Sequence, residues 1–220
     1  MRMKIYQIDP SKDDLRVKCR SFKEIDEVDP RIYKKVFDAE ADVKHLEGAF
    51  SLFNSVDPHP LYFGNAMTVS DVVVTDYGAF YCDIKGFRTI DFDESLVNSS
   101  DNIRVLFVEP HEEPHVAEIP DTLAAKQQAV GGYIEFIYNP DETALVGDEE
   151  AKIKCKEGNR YLDGGGIIAG NFFVVGLTED GCRSLTDEEV KKYMDKYKEA
   201  PDISQEETDA DVGFSMITMV

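Results

Sequence analysis

Asp93-Glu94-Ser95-Leu96-Val97-Asn98-Ser99-Ser100-Asp101-Asn102 is polar and turn-prone, and it lies between two blocks of apolar patterning. The chain therefore reads as two domains, residues 1–94 and 103–198, followed by an acidic tail at 199–220. Ahead of the linker, Lys4-Ile5-Tyr6-Gln7-Ile8 alternates polar and apolar residues like a half-buried strand, and Asp9-Pro10 ends it. Leu15 to Phe22 is a weaker alternating candidate. Asp29-Pro30 has the form of a helix start, with Ile32, Tyr33, Val36 and Phe37 at helical spacing behind it. A second helix is expected over Ala39 to Asn54, where Val43, Leu46, Ala49, Phe50 and Phe53 line one face. Asp57-Pro58-His59-Pro60 interrupts any regular element. Strands follow at Val69 to Thr75, Ala79 to Ile84 and Phe87 to Phe92, the last two forming a hairpin about Lys85-Gly86.

Beyond the linker, Ile103 to Val108 is a nearly continuous apolar run suited to a buried strand, with a second strand at His115 to Ile119. Asp121 or Thr122 can cap a helix that Gly131-Gly132 stops. Tyr133 to Tyr138 and Thr143 to Val146 read as strands joined by a turn, and Phe172 to Gly176 as another. Ser184 to Glu189 is a helix-start signature, continuing to about Lys198 with Val190, Tyr193, Met194 and Tyr197 as the buried stripe. The class is α+β, two small domains, each a mixed or antiparallel sheet with helices on one face. The tail carries Glu206, Glu207, Asp209 and Asp211 and no basic residue, so it is expected to be mobile unless a partner orders it. Its apolar end, Val212 to Val220, could dock back or serve as a contact.

Of 220 residues 42% are hydrophobic and 10% aromatic, enough for a packed core. No apolar run reaches the roughly 18 to 20 residues that cross a bilayer, and the start lacks an apolar signal region; the expectation is a cytoplasmic protein without membrane contact. Cys19, Cys82, Cys155 and Cys182 stand singly, as reduced thiols do. The formal net charge is -20, and it is uneven: residues 1–100 hold 13 basic and 18 acidic side chains, residues 101–220 hold 11 and 26. That balance disfavours direct nucleic-acid binding, which needs clustered Lys and Arg, and permits attraction to a basic protein surface.

His111-Glu112-Glu113-Pro114-His115 spells the zinc-protease pattern, but Pro114 is incompatible with the helix on which that pattern works. A loop between strands is expected there, with no metal. Asp163-Gly164-Gly165-Gly166 leads into Ile167 and Ile168 rather than into a phosphate-binding helix, so it reads as a structural turn. His45 and His59 have no nucleophile signature beside them, and no cofactor fingerprint is present.

Two segments carry a family resemblance. His59-Pro60-Leu61-Tyr62-Phe63-Gly64-Asn65-Ala66-Met67-Thr68-Val69-Ser70-Asp71-Val72-Val73, with Gly78, Tyr81-Cys82-Asp83 and Gly86-Phe87 behind it, resembles the YodL-like domain. Ile103 to Pro110, Leu123 through Val130-Gly131-Gly132-Tyr133-Ile134-Glu135, Asn159-Arg160, Gly170 and Ser184-Leu185-Thr186-Asp187 resemble the domain-of-unknown-function family numbered 3846. The resemblance implies an accessory protein of a phage, plasmid or other mobile element, and it supplies no activity.

The function expected is a non-enzymatic interaction protein whose acidic surface meets a basic protein partner, with counter-defence by nucleic-acid mimicry as one setting. The alternative is a small-ligand or nucleotide binder with a pocket near Tyr133, Glu135, Asn159 and Arg160, or between the two domains. An uncharacterised enzyme ranks third.

Overall fold

The computed structural model describes all residues except 26, 98–101, 180 and 218–220, and from 212 to 217 it describes the backbone alone. The chain divides into two compact units, Met1–Asp101 and Asn102–Val220. Part of the polar linker, 98–101, thus lies outside the described residues, as do the side chains of the apolar chain end.

In the first unit, β1 (Arg2–Ile8), β2 (Tyr33–Glu40), β3 (Val72–Thr75), β4 (Gly78–Asp83) and β5 (Gly86–Ile90) form one sheet in the order β2-β1-β3-β4-β5, every pairing antiparallel. One face buries Tyr6, Ile8, Tyr33, Val72 and Tyr81 beneath Phe22 of the 3-10 turn Phe22–Glu24 and Ile25, Val28 and Phe92 of the connecting segments. On the other face Phe37 meets Phe53, His59 and Tyr62, which brings the short helix α1 (Leu46–Leu52) and the chain after it onto the sheet.

Three sequence expectations are corrected here. The helix after Asp29-Pro30 is a single 3-10 turn, Pro30–Ile32, capped by Asp29, and Tyr33, Val36 and Phe37 of the helical spacing belong to β2. The cause lies in the ladder: Ile5 pairs with Phe37 but Tyr6 pairs with Lys35, so Val36 is bulged out. A bulge breaks the two-residue alternation and buries Tyr33, Val36 and Phe37 together, which imitates a helical stripe. The helix expected over Ala39 to Asn54 shrinks to α1, because Ala39 and Glu40 complete β2 and His45, whose Nδ1 accepts from the Gly48 amide, fixes a later start. Leu15 to Phe22 forms turns instead of a strand, with Leu15 exposed.

The second unit is built on β6 (Asn102–Val108), β7 (His115–Pro120), β8 (Ile134–Tyr138), β9 (Thr143–Asp148) and β12 (Phe172–Leu177), ordered β7-β6-β12-β9-β8 and antiparallel throughout; β13 (Cys182–Arg183) pairs with β12. A separate ribbon joins β10 (Gly158–Tyr161) to β11 (Ile167–Ala169). Leu106, Val108, Leu145, Phe172 and Val174 form one face, covered by Ile168 of the ribbon and by Val190, Tyr193 and Tyr197 of α3 (Asp187–Tyr197). The buried Ala125, Ala129 and Val130 of α2 (Leu123–Val130) take no part in that cluster, and α2 packs on the alternate face, against β7, β8, β9 and β12. The helices of this unit thus divide between both faces of the sheet, where the sequence reading had placed them on one.

The tail expectation is corrected as well. Residues from Gln205 to Ile217 form α4, started by a capping box in which the Ser204 amide donates to the Glu207 carboxylate at 3.0 Å and the Ser204 hydroxyl accepts from the Glu207 amide at 3.3 Å. Ile203 and Thr208 are buried against Gly158, and Asp211 accepts from Lys152 Nζ at 2.5 Å and from the Ile167 amide at 2.8 Å. Burial of these few side chains holds what the charge pattern alone suggested would be loose.

Candidate functional site

In the second unit the segments that looked most distinctive in sequence meet through one buried polar network. Helix α2 is capped by Thr122 and stopped by Gly131, which takes the left-handed angle φ 72° that a side chain would resist. Gly132 is required for a different reason. A Cβ there would stand 2.1 Å from Asp148 Oδ1.

The Asp148 side chain is wholly buried at the end of β9, where Lys156 Nζ lies 2.6 Å and Lys154 Nζ 3.3 Å from its carboxylate and the Glu150 amide donates at 3.0 Å. Burial alone would push this carboxyl up, but Lys156, the Glu150 amide and Lys154 outweigh it and hold the group below its ordinary range. Lys156 also donates to the carbonyls of Val130 at 2.9 Å and Gly131 at 2.8 Å, placing a cation on the C-terminus of α2 where the helix dipole favours one.

The Lys156 stem runs across Gly170, where a Cβ would lie 2.7 Å from Lys156 Cδ. Asn159 then ties the ribbon to the sheet, its amide donating to the carbonyls of Gly170 at 2.7 Å and Val108 at 3.1 Å. Arg160 is 3% exposed and spends its guanidinium on oxygens of the chain: Tyr197 at the end of α3 at 3.0 Å, Glu112 at 2.7 Å, and the carbonyl and side chain of Asn159. Burial lowers its pKa from the ordinary arginine value. The register break between Gly158 and Arg160 lets Asn159 and Arg160, consecutive in the strand, both be buried.

Of the four binding candidates, Asn159 and Arg160 are therefore together in the interior, bonded to one another. Tyr133 and Glu135 lie exposed at β8. Among the described residues no hydrogen bond joins the two pairs. Tyr133 lines an open groove of about 450 Å³ with Gln127, Gln128, Gly131, Gly132 and Lys154. Partial burial first, then the carboxylates of Glu149 and Asp148, raise the Glu135 pKa against the pull of Lys152. Sequence reading missed Asp148, Lys154 and Lys156; the visible signal was Lys152-Ile153-Lys154-Cys155-Lys156, an alternating basic run inside the acidic half.

The other motifs resolve simply. His111 sits in the loop between β6 and β7, and His115 packs its ring on Phe107 within β7, so the pattern lies on no helix. Gly165 and Gly166, both at positive φ, turn the chain between β10 and β11. Among the described residues, no three His, Cys, Asp or Glu side chains are grouped to hold a metal, and no helix is long and apolar enough to cross a membrane.

In the first unit the distinctive segment wraps one side chain of β1. Gln7 Nε2 donates to Tyr62 Oη at 3.1 Å, the Asn65 carbonyl at 2.9 Å and Asp71 Oδ2 at 2.8 Å, while Gln7 Oε1 accepts from the Asn65 amide at 2.8 Å. Gly64 leaves room for it: a Cβ there would come within 2.7 Å of Gln7 Oε1. Ser70, at φ 85° and fully buried, accepts from Tyr33 Oη at its carbonyl and from the Cys19 amide at its hydroxyl.

Comparison with family models matches residues 2–92 to the YodL-like domain and residues 103–198 to the domain of unknown function DUF3846. The two matched regions follow one another in that order along the chain. Comparisons with curated proteins and with solved structures find no match.

The second unit, which contains the region similar to DUF3846 and the tail helix, distributes charge in a particular way. Arg104, Lys126, Lys152, Lys154, Lys156, Arg183, Lys192 and Lys196 each pair with a carboxylate of the same unit, at distances from 2.5 to 3.3 Å, and Arg160 is enclosed by carbonyls. That commits nine of the eleven cations in residues 101–220. Glu149, Glu188, Asp195, Glu199, Asp202, Glu206 and Asp209 are exposed, and among the described residues none has a cation within ion-pair distance. In the first unit Asp71 is the outlier, a carboxylate 2% exposed whose hydrogen bonds come from neutral donors.

Proposed function

We propose that the chain is an interaction protein whose second unit presents an acidic surface to a basic surface on a partner protein. The observation that carries this reading is the commitment of the unit's cations to internal pairs, which leaves its excess of carboxylates facing solvent with little to neutralise them. A field of that kind accelerates encounter with a basic partner and repels nucleic acid, and it weakens as salt screens it.

A counter-defence role fits within the same reading: a row of carboxylates offered to a nucleic-acid-binding protein would occupy the surface that otherwise meets phosphates. The test is affinity capture with the full chain from lysate with and without nuclease treatment, repeated at low and raised salt. The reading predicts that a protein with a basic surface is retained at low salt and released as salt rises. Retention unaffected by salt, or capture of nucleic acid itself, would refute it.

A further inference from the structure

The interaction reading says nothing of where a partner makes its directional contacts, and the edge of the second sheet answers that. In the β8–β9 ladder the Glu149 amide donates to the Tyr133 carbonyl at 2.8 Å and the Asn139 amide to the Thr143 carbonyl at 2.9 Å. These two pairs share the register that sets Ile134 opposite Asp148 and Tyr138 opposite Ala144. In an antiparallel ladder hydrogen-bonded pairs alternate with non-bonded ones, so Tyr133, Glu135, Ile137 and Asn139 turn their backbone groups toward β9. Ile134, Phe136 and Tyr138 therefore direct their N–H and C=O groups away from the sheet. Among the described residues nothing hydrogen-bonds to them.

Sheet edges are ordinarily protected by Lys, Pro or a bulge. The opposite edge, β7, ends in Pro120. Strand β8 reads Ile134-Glu135-Phe136-Ile137-Tyr138, runs against β9 without a register shift, and has none of those devices. Tyr133 is 63% and Tyr138 72% exposed, and Tyr138 stacks on Phe136. The one charge on the strand is Glu135, with Glu149 beside it, while Lys152, the cation whose field reaches it, is tied to Asp211 at 2.5 Å.

We infer that β8 is a strand-addition site for an extended segment of the basic partner, one that alternates Lys or Arg with apolar residues. The apolar residues would bond to the outward groups of Ile134, Phe136 and Tyr138 and lie beside Phe136 and Tyr138. The basic residues would fall opposite Glu135. This rests on the acidic-surface reading and adds the geometry of contact to it.

The test uses the full chain and a fluorescent peptide alternating arginine and valine, with an analogue N-methylated at the valines that keeps every charge but loses the donors aimed at β8. Tyr138→Pro removes only an outward N–H and an exposed side chain, so the β8–β9 ladder is retained, which circular dichroism and the thermal midpoint verify. Glu135→Lys reverses the charge and leaves the edge.

The inference predicts that the peptide binds with new amide-exchange protection at Ile134, Phe136 and Tyr138 and not at Glu135 or Ile137. The analogue, the Tyr138→Pro chain and the Glu135→Lys chain should each bind at least about tenfold more weakly. Equal, salt-sensitive binding of peptide and analogue would overturn the edge site while leaving the acidic surface standing. No binding of either at low salt would overturn both.

Discussion

Asp71 should make the first unit more stable as the solution is acidified toward pH 5, the reverse of the usual response of a paired carboxylate. Its side chain accepts from Gln7 Nε2 at 2.8 Å and from the Thr68 amide at 2.9 Å. Burial pushes its pKa up to about 6, against the opposing effects of the Thr68 amide, Gln7 and the charge of Lys18. The unfolded chain has the ordinary value of 3.8. The folded state therefore binds this proton more tightly, so stability rises as pH falls through 6 and levels off below 4. The full difference is worth roughly 3 kcal/mol, of which about 1 kcal/mol develops between pH 7 and pH 5, clear of the isoelectric point near 4.5. The assay is native-state amide exchange at Arg2–Ile8 and Val72–Thr75, which reports the opening of this sheet without interference from the other unit. Asp71→Asn keeps an acceptor for Gln7 and removes the titration, so its opening free energy should be nearly flat over the same range. An opening free energy that falls from pH 7 to pH 5, or an equal rise in Asp71→Asn, would refute the reasoning.

In the second unit the sign reverses: Asp141, held at about 2 by Lys192, Thr143 and Tyr193 against its burial, and Glu189, held at about 2 chiefly by Arg183, give stability that is fully present above about pH 5 and lost as pH falls from there toward 2, which amide exchange at Phe172–Leu177 across an acid titration would record. Gly132→Ala should destabilise this unit by about 1–3 kcal/mol, since the added methyl meets a carboxylate fixed by Lys154 and Lys156; a thermal midpoint equal to that of the parent chain would contradict the assigned role. Arg160→Lys cannot span Tyr197, Glu112 and Asn159 together and should cost roughly 3 kcal/mol in chemical denaturation. Ending the chain after Asp202 removes Ile203, Thr208 and the Asp211 contact to Lys152 and should lower the thermal midpoint of the second unit, whereas a dispensable tail would leave it unchanged.

Where each residue's choice was local, the sequence could be read. Thr122 and Thr186 cap the helices their patterns announced, Gly131 stops α2, and the strands of both sheets other than β2 and β13 fall on the apolar runs that suggested them. The misreadings arose where tertiary pairing overrode the local pattern. Val36 is bulged by the register of β1, which no feature of residues 30–40 reveals. The Ser204–Glu207 cap that starts the tail helix is local, but what holds the tail in place is the room Gly158 makes for Ile203 and Thr208 and the reach of Lys152 to Asp211, contacts between distant parts of the chain.

The candidate site was legible as segments, not as an arrangement. Gly-Gly-Tyr-Ile-Glu, Asn-Arg and Gly170 were visible, but their connection runs through Asp148 and Lys156, and only the folded chain shows that Asn159 and Arg160 face inward while Tyr133 and Glu135 face out. Charge was readable as a sum. Its division into committed cations and free carboxylates required the ion-pair geometry.

The most direct measurement is the affinity of the captured partner for the intact chain and for one in which Asp195, Glu199, Asp202, Glu206 and Asp209 are replaced by their amides, each titrated across salt concentration. If an acidic surface does the binding, the neutralised chain associates more slowly and more weakly, and its affinity depends less steeply on salt. Identical affinity and identical salt dependence in the two chains would contradict the account.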